Sequence, residues 1–381
     1  MTRLGTRIGA GSLGGILALA GCGPPFTTAT GGGGTGSAGG STTTTTTSAS
    51  GTTGSSSSGG PCTPGMINTC GPGSFCNDKQ TCAPCSTAGL GYGTPVPVVL
   101  AGSPPSGTVG SFPRVADDGT LYFIELGKSP PSGQIASAPM MSSTVQASWG
   151  MPTVLPPPFN PMASAGQDAP QQEGPLPWAK GGPIAPLVNT SDVFVQDPVL
   201  LFGSTVSGSF KVWAATNSKD DPTPKPDQLN LPDGLNDKSI AVSFTAQGGP
   251  RYYWLRDGAL VMVTGGSGVP FVPVVITFED ACFTAIADPW VGPDGKHLFF
   301  TGGTGGSGCL PAGSSQTRLF HVPLDPATGL PPAGAKAAQL FPNDTTDDDR
   351  TPSLSPDGCL LLFARGNATS TTTTLYAALR E

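Results

Sequence analysis

One frame recurs along this chain and limits what the chain can become. In Thr351-Pro352-Ser353-Leu354-Ser355-Pro356-Asp357-Gly358-Cys359-Leu360-Leu361-Leu362-Phe363, a Pro stands five positions before an Asp-Gly pair and an apolar run follows. Pro289 to Phe300 repeats the frame around Asp294-Gly295, and Pro113 to Phe123 repeats it around Asp118-Gly119. Asp tolerates left-handed backbone and hydrogen-bonds its own turn. Gly takes positive φ without steric cost, so the β-rich run behind the pair reads as the second strand of a hairpin. Weaker copies stand at Asp192 to Phe202, where Asp197-Pro198 replaces Asp-Gly, and at Asp257-Gly258 before Ala259 to Val263.

Each copy is followed by the pieces of a four-strand meander. Leu121 to Glu125 and Gln134 to Ala138 read as strands after the first turn, with Thr153 to Leu155 outermost. Later copies continue through Phe210 to Ala215, Arg318 to Val322 and Ala338 to Phe341. The last copy stops one strand short, after Cys359 to Ala364 and Thr374 to Leu379. The β-prone Val96 to Leu100, far upstream, supplies the missing strand. A single meander buries one face and needs neighbours. The repeats therefore predict an all-β propeller of five or six blades over residues 95–381, sealed by its own N-terminal strand. Strands at this spacing would also build a β-sandwich. Pro156 to Pro183 has no period and reads as a long loop or an eroded repeat.

Composition agrees with a turn-dense β protein: 56 of the 381 residues are Gly and 42 are Pro. The 18 basic residues form no cluster and are outnumbered by 25 acidic ones, which argues against a phosphate-tracking surface for nucleic acid. No apolar run has membrane-spanning length.

The N-terminus carries the address. Residues 1–21 read as an export signal, with Arg3 and Arg7 ahead of a short apolar stretch. The ending Leu19-Ala20-Gly21-Cys22 resembles the lipobox of bacterial lipoproteins. That resemblance implies cleavage before Cys22, acylation of its sulfur and a membrane anchor. Gly23, in place of the Asp common in lipoproteins kept at the inner membrane, implies the outer membrane in a cell that has two. A plain secretory signal is the alternative. Residues 22–61, almost wholly Gly, Ser and Thr, have too little apolar surface to offset the entropy of folding. They read as a tether with a reach of roughly 30–35 Å.

Residues 62–90 hold Cys62, Cys70, Cys76, Cys82 and Cys85, a density that in an exported chain reads as a disulfide-stapled module. Cys82-x-x-Cys85 leaves zinc as a sharper alternative, with no histidine nearby. Cys282 and Cys309 flank the strands of one repeat and are expected to bond to each other. Cys359 has two readings, a bridge to the odd cysteine of the module or a buried thiol.

The repeat Pro-x-Leu-Ser-Pro-Asp-Gly at 352 to 358, with Gln339-Leu340 and Asp347-Asp348-Asp349 ahead of it, resembles the WD40-like repeat of TolB-type propellers. The match is good at 289 and 352, fair at 113 and poor at 192 and 252. It implies an envelope-associated interaction role.

Chemistry is sparse. The only two histidines, His297 and His321, fall inside expected strands, where a face or core position explains them without a catalytic role. Gly127-Lys128-Ser129 lacks the upstream Gly and the helix of a phosphate loop, and no Gly-x-Ser-x-Gly elbow occurs. Asp344, Asp347, Asp348 and Asp349 could hold a hard cation, but their spacing lacks the pattern of a calcium loop, a solvated turn capping the next blade is the preferred reading, and no metal or cofactor is expected. The reading that results is a lipid-anchored, non-enzymatic propeller that binds a protein or envelope polymer. The alternative is a hydrolase or lyase acting on a secreted polymer through the propeller channel.

Overall fold

In the computed structural model, the described residues are 62, 70, 74–76, 80–85, 90–104, 106–116, 119–126, 133–142, 148–155, 172–177, 199–204, 211–216, 227–228, 237–245, 249–264, 272–279, 285–303, 316–342, 347–367 and 372–380. Among them there is no helix. A hairpin of β1 (Ser74–Cys76) and β2 (Cys82–Pro84) comes first, and β3 (Val96–Pro97) follows. Sheet I contains β4 (Gly110–Val115), β5 (Leu121–Glu125) and β6 (Gln134–Ala138). A side hairpin of β7 (Met140–Ser142) and β8 (Ser148–Trp149), not foreseen from sequence, precedes its outermost strand β9 (Thr153–Val154). Sheet II is β10 (Gln172–Pro177), β11 (Val199–Ser204), β12 (Lys211–Thr216) and β13 (Asp227–Gln228). Sheet III is β14 (Asp237–Thr245), β15 (Gly249–Arg256), β16 (Ala259–Thr264) and β17 (Val274–Val275). Sheet IV is β18 (Ala285–Val291), β19 (His297–Gly303), β20 (Thr317–Pro323) and β21 (Ala338–Gln339). Sheet V is β22 (Asp347–Leu354), β23 (Leu360–Asn367) and β24 (Thr374–Leu379), with β3 as its fourth strand.

All five sheets are antiparallel meanders, and their first strands touch in series. β4 meets β10, β10 meets β14, β14 meets β18, β18 meets β22, and β22 returns to β4. Apolar cores lie between neighbouring sheets instead of between two stacked layers. Phe123, Leu362 and Leu375 join sheets I and V; Tyr253, Phe300 and Phe320 join III and IV; Phe299, Leu354 and Phe363 join IV and V. Ile124, Ile135 and Phe202 join I and II. This is the radial packing of a β-propeller, and it sets aside the sandwich.

β3 completes sheet V, with Val96 opposite Ala377 and Pro97 opposite Tyr376. Val98 N and Leu375 O then bond at 2.8 Å. A 2.8 Å bond from Leu375 N to Thr108 O carries the seam onward to sheet I.

Two sequence assignments change. The first strand of the second repeat is β10, inside the stretch that lacked a period, and not the segment from Asp192. Asp257-Gly258 joins the second and third strands of sheet III, whereas Asp294-Gly295 and Asp357-Gly358 join first to second. The copy at 257 is therefore one strand out of phase. Any isolated hairpin offers a tight turn, so Asp-Gly alone does not fix the phase.

The phase is fixed by a bulge. Every first strand shifts register at the same place: between Ser111 and Arg114, Glu173 and Leu176, Lys238 and Ala241, Ala287 and Trp290, and Arg350 and Ser353. Four residues at these bulges hold left-handed backbone, Phe112 (φ 51°), Ser239 (50°), Asp288 (51°) and Thr351 (55°). Non-glycine residues pay for such a φ unless neighbours hold it in place. After Phe112, Asp288 and Thr351 the next residue is the Pro of the sequence frame, which lacks an N–H and suits a point where the ladder is interrupted, whereas Ile240 follows Ser239.

A turn from sheet IV also latches sheet III. Buried Arg251 donates to Ala327 O at 2.6 Å and Tyr253 Oη to Gly329 O at 2.8 Å. At Gly329 (φ +73°) a Cβ would stand 2.5 Å from Arg251 Cδ, whereas Gly258 (φ +82°) has open space. Gly258→Ala is expected to cost about 1 kcal/mol from backbone alone, and Gly329→Ala roughly 2–3 kcal/mol by adding the clash. Urea unfolding of the two variants checks the order.

Candidate functional site

Polar side chains come together at several places among the described residues, and two of them matter most here. The first is a belt around the inner strands, built on the bulges. Ser239 of sheet III donates through Oγ to Asp288 Oδ1 of sheet IV at 3.1 Å, and Thr301 Oγ1 donates to Asp288 Oδ2 at 3.0 Å. Thr351 of sheet V donates its N–H to Thr301 Oγ1 at 3.0 Å, and Phe112 N of sheet I donates to Thr351 Oγ1 at 3.1 Å. Arg114, 1% exposed, donates to Pro113 O and Pro352 O at 2.9 Å and to Thr351 O at 3.3 Å. Its guanidinium lies 4.7 Å from the ring centre of Trp290.

Burial pulls the Arg114 guanidinium down to about 10, against the opposing pull of Asp288. Burial pushes the Asp288 carboxyl above its ordinary range. Thr301, the charge of Arg114, Ser239 and the Thr351 amide pull it back only in part. A carboxyl raised in the folded state stabilises fully below its unfolded value of about 4 and loses that contribution as pH rises through the folded value. The stability of the native chain relative to Asp288→Asn is therefore expected to fall as pH rises above about 4. Asp288→Ala, which takes the acceptor from two buried hydroxyls, is expected to be worse than Asn by roughly 2–3 kcal/mol at every pH. Urea titrations across that range test both.

The second place is a cleft of about 210 Å³ beside the β18–β19 and β22–β23 turns, lined by Leu90, Asp294, His297, Phe299, Asp357 and Arg380 among others. His297 Nδ1 stands 3.7 Å from Asp294 Oδ2, an electrostatic approach that is too long for a hydrogen bond. Burial raises the Asp294 carboxyl, but His297, the Lys296 amide and the charge of Lys296 outweigh it and leave it below its usual range. The His321 ring lies 6.1 Å from that of His297, and burial, then His297, lowers its pKa to about 4. Asp357 is occupied by its own turn. It accepts from the Ser355 hydroxyl and from Cys359 N at 3.0 Å, while burial pushes its carboxyl up. Tyr92, next to this cleft through the charges of Arg380 and Asp294, has a buried hydroxyl with no partner.

The described part of the acidic run stands in a strand and not in a solvated turn. Asp347, Asp348 and Asp349 begin the innermost strand β22, and Asp348 and Asp349 are buried. Arg365 grips Asp349 with bonds of 2.7 and 2.9 Å and approaches Asp347 at 3.5 Å. Asp348 accepts from Thr317 N at 2.8 Å and pairs with Arg350 at 3.4 Å. Asp344 lies outside the described residues.

Cys70 bonds Cys82, Cys62 is also disulfide-bonded, and Cys85 bonds Cys359. Of the two readings for Cys359, the structure has the bridge. It also uses both cysteines of the Cys82-x-x-Cys85 pair in disulfides. Cys62, Cys70 and Cys82 do bring their sulfurs together, within 4.8 Å, but as bonded sulfurs. The Cys76 side chain, Cys22, Cys282, Cys309 and Asp118 lie outside the description, as do the tether and the insertion after Gly303.

The belt residues Arg114, Ser239, Asp288, Thr301 and Thr351 were not singled out from sequence. A usable signal exists for three of them: Asp288 and Thr351 stand directly before the Pro of the frame, as Phe112 does, and Arg114 stands directly after it.

No family model and no curated protein sequence matches the chain. Solved structures that resemble it include a glycosyl hydrolase from Bacteroides ovatus, at 12% identity and TM-score 0.42, covering 84% of this chain and 93% of that one. An exo-1,5-α-L-arabinanase from a bovine ruminal metagenomic library matches at 14% identity and TM-score 0.42, covering 71% and 92%. TolB from Acinetobacter baumannii matches at 13% identity and TM-score 0.33, covering 71% and 53%. Sugar hydrolases and TolB-like proteins thus stand side by side among the neighbours, and none of the three superposes closely enough to carry an argument about function. The chain is a β-propeller protein on the strength of its own sheet order and contacts.

Proposed function

We propose that the chain is an exported, lipid-anchored propeller of five blades that acts as a non-enzymatic scaffold for a protein or an envelope polymer. The supporting observation is where its inner charges are engaged. Asp288 and Arg114 are held by partners from neighbouring sheets and Asp349 by Arg365 of its own sheet, so these inner charges are engaged in holding the ring. Among the described residues, an open concavity with convergent polar groups lies instead at the turns of sheets IV and V. The Cys22 anchor and tether place that cleft outside the cytosol, facing envelope partners. Cys22→Ala is expected to move the protein from the membrane to the soluble fraction and to abolish the acyl mass on the mature N-terminus. Fractionation with intact-mass spectrometry checks it.

The rival reading, a hydrolase of a secreted polymer, draws on His297 beside Asp294 with His321 and Tyr92 near, although this group stands in the turn-side cleft and not at the axis. A photo-crosslinker at exposed Lys296 separates the two. A scaffold gives a discrete adduct that survives His297→Ala, and the same variant leaves no polymer-degrading activity to lose. Turnover of an envelope or secreted polysaccharide that vanishes with His297→Ala would replace the scaffold reading.

A further inference from the structure

The chain has only two histidines in 381 residues, and the fold places them side by side. His321 lies opposite Phe299 across β19 and β20, and His297 is two residues before Phe299, so both imidazoles share the face of sheet IV that looks toward sheet V. Their ring centres are 6.1 Å apart at 67°. Nδ1 of His321 is buried without a partner, an unused donor or lone pair inside the protein. His297 turns Nδ1 toward the Asp294 carboxylate at 3.7 Å, an electrostatic approach that a hydrogen bond would tighten, and this leaves its other nitrogen for a ligand. The cleft at His297 is roomy enough for an ion and its waters.

We propose that His297 and His321 together bind one divalent transition-metal ion of the zinc, nickel and copper class, with Asp294 as the positioning carboxylate. Imidazole nitrogen suits these borderline ions, whereas calcium and magnesium take oxygen ligands. The rings meet edge to face and do not converge on one centre, so binding requires the half-buried His297 ring to turn toward His321. The competing account is packing alone, since both rings also contact Phe299, at 6.5 and 6.1 Å. This inference does not depend on the scaffold proposal.

The test uses untagged protein with its disulfides intact, titrated calorimetrically with Ni²⁺ and Zn²⁺. One saturable equivalent is expected, with affinity reduced at least about 10-fold in His297→Ala and in His321→Asn, and about 10-fold in Asp294→Asn. Because a change at His321 could disturb the core, the native chain is also titrated with substoichiometric Cu²⁺ by proton NMR. The two imidazole Cε1–H resonances should broaden first and together. No saturable binding, binding that survives both histidine variants, or broadening that spares the two imidazoles would each overturn the site.

Discussion

Arg114→Met is expected to lower the free energy of unfolding by about 3–5 kcal/mol, the range found when one partner of a buried charged network is removed. Arg114 starts in sheet I, donates to two carbonyls at the bulge of sheet V and stacks on Trp290 of sheet IV. Methionine fills much of its volume but leaves Pro352 O and Thr351 O without this donor, and Asp288 without its buried countercharge. Arg114→Lys should recover little, because a point ammonium cannot keep the planar stack and the forked donors at once. Equilibrium urea unfolding, followed by tryptophan fluorescence, measures both. A loss below about 1 kcal/mol for methionine would mean that the belt adds nothing to the ring.

Breaking the Cys85–Cys359 bridge should be the larger covalent effect. Its cysteines are 274 positions apart, against 12 for Cys70–Cys82. Closing a loop of the longer kind removes roughly 5 kcal/mol of unfolded-chain entropy, and of the shorter kind roughly 3 kcal/mol. Cys359 is buried at the start of β23, and its carbonyl accepts from Arg380 N at 2.8 Å, so the bridge fastens the cysteine-rich segment to the same sheet that β3 completes. The paired Cys85→Ser and Cys359→Ser variant should therefore unfold at markedly lower urea than a Cys70→Ser and Cys82→Ser variant, each confirmed by non-reducing peptide mapping. Equal midpoints would show that the long bridge closes nothing that β3 does not already hold.

How much of this was legible beforehand depends on the kind of residue that carried it. The strands after Asp118-Gly119, Asp294-Gly295 and Asp357-Gly358 were readable because turn chemistry and apolar runs are local. The fourth strand of sheet V was readable because the last repeat stops after Leu379 while Val96 to Leu100 stands unassigned. β10 was not, since Gln172 to Pro177 has neither apolar alternation nor an Asp-Gly turn. Its signal is the Gly174-Pro175 pair at its bulge. The cleft was invisible for a different reason. Leu90, Asp294, Asp357 and Arg380 come together only when the ring closes, and nothing local marks their convergence. The acidic run misled because charge implies solvent unless a partner such as Arg365, 16 positions from Asp349, is known to reach it.

The account rests on a ring closed by its own first strand. Its most direct measurement is the methyl nuclear Overhauser effect between Val96 and Ala377 in protein labelled only on valine and alanine. Antiparallel pairing of β3 with β24 places these residues opposite each other and predicts a strong cross-peak, retained when the Cys85–Cys359 bridge is reduced. An assigned Val96 with no contact to Ala377, and contacts to another sheet instead, would contradict the closure and the propeller built on it.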